Sequence, residues 1–115
     1  MKQKLYDRLA VHLDFYEKNP NVGRVIFLTV PLETWMRDET FAYRDPSKAL
    51  LKAIANGQKC GKLRSDIPAI NLLDAYTAMF NRTFLMWEYR QRQYTLTSQL
   101  DHVFTILWDG IKANK

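Results

Sequence analysis

The chain is poor in the residues that carry most catalytic and metal chemistry. It has one cysteine, Cys60, and two histidines, His12 and His102, which lie far apart in sequence. A lone cysteine excludes an internal disulfide and any multi-cysteine metal site, as in proteins of a reducing compartment. No Gly-rich phosphate loop follows a strand, no Ser, His and acid constellation is apparent, and no carboxylates cluster at metal-ligand spacing. The sequence therefore gives no support to an enzyme, a cofactor or a metal site. Long apolar runs are missing too: no segment reaches the roughly eighteen uncharged apolar residues of a membrane span. The stretch from Met1 to Phe15 carries charges within its apolar part and lacks a small-residue cleavage site, so it does not read as a signal peptide. We expect a cytoplasmic protein without membrane contact, folded as a single domain over residues 1–115, long enough to bury about two thirds of its unfolded surface.

What is present is helical periodicity. Leu5, Leu9, His12, Leu13 and Tyr16 recur at three- and four-residue spacing and predict an amphipathic helix over 3–18. Asn19 and Pro20 read as the cap and first residue of a second helix bearing Val22, Val25, Ile26 and Thr29. Pro31 predicts a break before Leu32, Trp35 and Met36 resume the pattern, and 37–45, with Phe41 and Tyr43 embedded, reads as a loop or loose helical turn. Asp45 and Pro46 start a helix with Leu50, Leu51, Ile54 and Ala55 on its buried face, ending near Cys60 with Gly61 in the left-handed conformation. Asp66 reads as the cap of a long helix from Pro68 to Tyr89, and a last helix runs from Leu96 to Lys112. No β-type alternation appears, so the expected fold is an all-α bundle of five to six helices.

The long helix is too apolar for one buried face. Fourteen of its residues from Ala69 to Tyr89 are apolar or aromatic, and only Asp74, Arg82 and Glu88 are charged. Its polar stripe reads as Asn71, Asp74, Ala78, Asn81, Leu85 and Glu88, and the remainder calls for cover that a second copy of the chain would supply. The net charge is +5, and Lys48, Lys52, Lys59, Lys62 and Arg64 form an acid-free basic run. This run reads either as a phosphate-contacting patch or as a solvated face whose later members offset a helix C-terminus; without interleaved aromatic residues, the solvated face is the plainer reading. The sequon Asn81-Arg82-Thr83 lies within a helix and is read as chance.

The run from Ala53 to Pro68 contains Gly57-x-x-x-Gly61-x-Leu63-Arg64-x-Asp66. With the long apolar helix after it and a final helix closing on Leu107, Trp108, Gly110 and Ile111, it resembles the C-terminal domain of TetR-family transcriptional regulators. The resemblance spans about residues 1–112 and is most specific from Ala53 onward. It implies an effector-binding and dimerisation domain whose last two helices pair with their symmetry mates in a four-helix bundle. It also implies a DNA-reading helix-turn-helix domain that has no counterpart here, so the sequence reads as a fragment of a longer regulator that touches DNA only through that missing domain.

Candidate effector contacts are His12, Tyr16, Trp35, Met36, Tyr43, Phe84 and Trp87, each of which also fits plain core packing. Candidate dimer residues are Leu72, Tyr76, Met79, Thr83 and Met86 on the long helix with Phe104 and Trp108 on the last, self-complementary about a two-fold axis. His102 is read as an interface hydrogen-bonding residue or a surface one. The expected function is small-molecule sensing, by an apolar or amphipathic effector, coupled to homodimerisation. The competing expectation is a stand-alone helical interaction module with no effector and no DNA-reading head.

Overall fold

The computed structural model describes residues 1–26 and 47–114. Within them lie five α-helices: α1 (Lys2–Lys18), α2 (Pro20–Arg24), α3 (Ser47–Lys59), α4 (Ala69–Tyr89) and α5 (Leu100–Ile111), the last preceded by a 3₁₀ turn over Leu96–Gln99. Among the described residues there is no strand, only a single antiparallel bridge between Leu63 and Lys112. The expectations for Thr29, Pro31, Leu32, Trp35, Met36, Phe41, Tyr43 and the Asp45-Pro46 start fall outside the described residues.

The apolar spacing of α1 does what it predicts, burying Leu5, Leu9 and Leu13 on one side. These meet Leu72, Leu73, Tyr76, Phe80, Phe84 and Trp87 of α4 and Phe104, Leu107 and Ile111 of α5 in one continuous core, to which Leu50 and Ile54 of α3 are joined. In α2 the buried residue is Gly23, while Val22 and Val25 face solvent. A Cβ at Gly23 would meet the Phe84 ring at 2.4 Å, so only glycine lets α2 lie this close to α4.

Two expected caps have other roles. The Asn19 side chain donates to the Phe15 carbonyl oxygen at 2.9 Å, closing the end of α1, and makes no cap bond to α2. Asp66 does not cap α4, whose N-cap is Pro68; its carboxylate is held by Arg64. Gly61 does adopt φ +75, with Lys62 N–H bonded to the Gly57 oxygen and Gly61 N–H to that of Gln58, a Schellman closure of α3. The last helix is shorter than the sequence suggests, because Leu96–Gln99 winds as a 3₁₀ turn before α5.

The burial of α4 is one-sided within the subunit. Its core stripe lies opposite Asn71, Asp74, Ala75, Ala78, Arg82 and Tyr89, all exposed. Three members of the expected polar stripe, Asn81, Leu85 and Glu88, are half-buried instead, while Ile70, Ala75, Thr77 and Arg82 join the solvent face. The polar sector is displaced and wider than the sequence pattern indicated. At Glu88 the reason is pairing, since Arg24 and Arg92 both reach its carboxylate.

Candidate functional site

The side chains proposed as effector contacts divide by depth. Phe84 is fully buried, and Trp87 is buried with its indole N–H donating to the Tyr94 carbonyl oxygen at 2.7 Å. Both belong to the core. His12 and Tyr16 are half-buried on the flank of α1 that meets α4. His12 sits 5.6 Å from the Phe80 ring; Tyr16 contacts Phe80 at 5.4 Å and Phe84 at 5.8 Å. Trp35, Met36 and Tyr43 lie outside the described residues.

These contacts define a ladder. Along α1, Arg8, His12 and Tyr16 stand four residues apart, and along α4, Tyr76, Phe80 and Phe84 repeat the spacing, so each set shares one helix face. The rungs His12 to Phe80 and Tyr16 to Phe84 have the same sequence offset, and that offset carries Arg8 to Tyr76. Sequence reasoning misses this end of the seam: it singles out nothing at Arg8 and expects Tyr76 on a dimer face. Only the shared spacing of the two triplets could have suggested the pairing.

Electrostatics agree with this placement. Burial, followed by the Arg8 guanidinium, lowers the His12 pKa below 6.5, so the imidazole stays neutral near neutral pH. Burial pushes the Tyr76 hydroxyl up to about 12, against the opposing pull of Arg8. Tyr76 remains a protonated donor, yet its buried hydroxyl has no hydrogen-bond partner among the described residues. An unmet buried hydroxyl costs about 1–3 kcal/mol. Arg8 is half-buried and makes no ion pair among the described residues; of the acids of α1, Asp7 accepts from Gln3, Asp14 pairs with Lys18, and Glu17 accepts from the backbone N–H and hydroxyl of Thr97.

The proposed dimer residues also divide. Leu72, Tyr76 and Phe104 are only 3–4% exposed and lie in the subunit's own core, which corrects their assignment to an outer face. Met79, Thr83, Met86 and Trp108 are half-buried, and His102 is exposed. The large apolar side chains that α4 and α5 leave in solvent are Ile70, Tyr89 and Ile106, at 48, 79 and 65% exposure. An open hollow of about 280 Å³ lies toward the C-terminal end of α4, lined by Arg82, Thr83, Met86, Arg90, Tyr94 and Gln99.

The residues of the Gly57 to Asp66 run build a structural joint. Leu63 is buried, and the Arg64 guanidinium holds both carboxylate oxygens of Asp66 at 2.8 Å while donating to the Gly110 carbonyl oxygen at 3.1 Å. Its charge therefore serves the C-terminus of α5 rather than that of α3. The exposed Asp66 has its pKa lowered to about 2, chiefly by the Arg64 hydrogen bond. Lys48, Lys52, Lys59 and Lys62 are exposed, as is Cys60.

Among the described residues there is no group of His, Cys, Asp and Glu able to hold a metal, and no helix long and apolar enough to cross a membrane. No family model, curated protein or solved structure matches the chain.

Proposed function

We propose that this chain is a ligand-sensing and homodimerisation domain of a TetR-type transcriptional regulator, with DNA reading left to a helix-turn-helix domain outside these residues. The observation that carries the dimer is the solvent-facing apolar set on α4 and α5, namely Ile70, Tyr89 and Ile106 beside half-buried Met79, Met86 and Trp108. Large apolar side chains left in solvent along two neighbouring helices are what an association site offers, and a two-fold pairing of the last two helices would cover them. The joint between the Gly57 to Asp66 run and the end of α5 supports the family reading, since the motif residues that suggested it have a common structural task.

A small apolar or amphipathic molecule bound against α1 and α4 would alter how the two subunits meet, to the extent that it prefers one arrangement over another. In a regulator, that change resets the separation of two DNA-reading heads, which must match major grooves about 34 Å apart. Sedimentation velocity tests the dimer: the wild-type chain sediments as a dimer at micromolar concentration, and Ile106→Glu sediments as a folded monomer. A wild-type monomer across that range would refute the association. A thermal-shift screen of fatty acids, aromatic acids, dyes and antibiotics tests the sensor; a dimer that no compound stabilises would favour a pure interaction module.

A further inference from the structure

We infer that the open hollow at the C-terminal end of α4 is a socket for the Ile70 side chain of a second copy of this chain, the two α4 helices lying antiparallel across a two-fold axis at Ala78. The inference rests on the homodimer reading above and gives it a register. A stripe on the solvent side of α4 carries it. Ile70, Asp74, Ala78, Arg82 and Met86 follow one another at four-residue spacing, Met86 half-buried and the others exposed, so they form one ridge of the helix. Ridges of this spacing pack on one another in the commonest helix-pair geometry. From Ala78 outward, one arm of the ridge carries an acid where the other carries a base, and each arm ends in an apolar side chain. A two-fold axis turns one arm onto the other. Asp74 then faces the twin's Arg82, and Ile70 the twin's Met86.

Both charges are unmet within the subunit. Among the described residues Asp74 is the one acid with neither an ion pair nor a hydrogen bond; the others are engaged, as Asp101 is by the Tyr6 hydroxyl and Asp109 by Lys112. Arg82 likewise makes no ion pair among the described residues. Opposite charges that no neighbour satisfies, set symmetrically about one small residue, fit a second copy rather than a foreign partner, whose surface need not mirror this one. The hollow lies on the same ridge. Arg82 and Met86 line it, no acid does, and its volume of about 280 Å³ has room for an aliphatic side chain entering over Met86. Ile70 stands at the opposite end of the ridge, 48% exposed, so each subunit offers one plug and one socket.

Cysteine cross-linking of the full chain, with Cys60→Ser removing the exposed native thiol, tests the register. Ala78→Cys sets two thiols at the axis, where the Cα atoms can come within the roughly 7 Å that a disulfide needs, and mild oxidation should give a covalent dimer. Asn71→Cys, exposed on the same helix, sets its thiols about 21 Å apart along the axis, at about 1.5 Å of rise per residue, and should not cross-link. Ile70→Arg brings a third cation to the socket beside Arg82 and Arg90 and should weaken the dimer at least about tenfold by sedimentation velocity, whereas Ile70→Leu, still an aliphatic plug, should leave it nearly unchanged. All the altered positions are exposed, and circular dichroism checks that each variant folds. A chain that dimerises but whose Ala78→Cys variant cross-links no better than Asn71→Cys overturns the register and leaves the homodimer reading standing. A dimer indifferent to Ile70→Arg overturns the socket in the same way, and a wild-type monomer overturns the homodimer reading as well.

Discussion

The two sides of α4 share one backbone and have opposite chemistry. Its inner side, Leu72, Tyr76, Phe80, Phe84 and Trp87, packs against its own subunit, while its outer side presents Asn71, Asp74, Ala75, Ala78, Arg82 and Tyr89 to solvent. Inner residues are under a packing constraint and outer ones under none that the subunit imposes. Apolar content alone therefore does not tell which residues await a partner. The inner side accounts for most of it; the surplus lies in small alanines, Ile70 and Tyr89 and in the half-buried Met79, Leu85 and Met86.

The sharpest way to break the contrast is truncation on the inner side. Phe84→Ala should cost about 3–5 kcal/mol of unfolding free energy by urea titration, because the ring is fully buried and also fills the space against Gly23. The outer side calls for charge reversal. Asp74 and Arg82 lie equally far on either side of Ala78, both exposed, so antiparallel pairing of α4 with its twin about Ala78 sets each opposite the other's counterpart. Asp74→Arg and Arg82→Asp should each weaken the dimer by about tenfold, and the double reversal should restore it. Restored affinity at unchanged monomer stability would confirm that the outer side acts between subunits alone; indifference to all three would remove this register.

A smaller effect sits where α4 ends. Its Schellman closure, with Arg92 N–H bonded to the Trp87 oxygen and Gln91 N–H to that of Glu88, has the same form as that of α3, but Gln91 occupies the left-handed position with φ 58 where α3 uses Gly61. Gln91→Gly should stabilise the fold by about 1 kcal/mol, read as a raised unfolding midpoint. The last test is pH. Since His12 has a folded pKa below 6.5, the unfolded chain takes up a proton that the folded one refuses, so stability falls as pH drops through 6.5 and levels off beneath the folded value. His12→Gln should flatten that slope. Asp66, with a folded pKa of about 2 against 3.8, acts in a separate window: its contribution is complete above the unfolded value and disappears as pH falls toward 2.

Much of the helical order was legible. Leu5, Leu9 and Leu13 announced α1 by spacing, and Gly61 announced the end of α3 because few other residues take its conformation at no cost. The caps were not legible. Asn19 and Asp66 have the right chemistry for an N-terminus, but each side chain found a nearer partner, Phe15 O and Arg64, that local sequence rules do not weigh. Periodicity gives α4 its stripes without saying which meets its own subunit, so the pattern alone does not reveal that Leu72 and Tyr76 lie in the core. Arg8 was not legible for a related reason: the spacing of α1 does not separate a half-buried cation from a solvated one.

The bridge between Leu63 and Lys112 has a consequence for how the molecule comes into being. Arg64 N–H bonds to the Ile111 oxygen and Ala113 N–H to that of Lys62, so the connection between α3 and α4 is completed by backbone some fifty residues downstream. During synthesis, that connection cannot be closed until residues 111–113 have left the ribosome, some fifty residues after the connection itself is made.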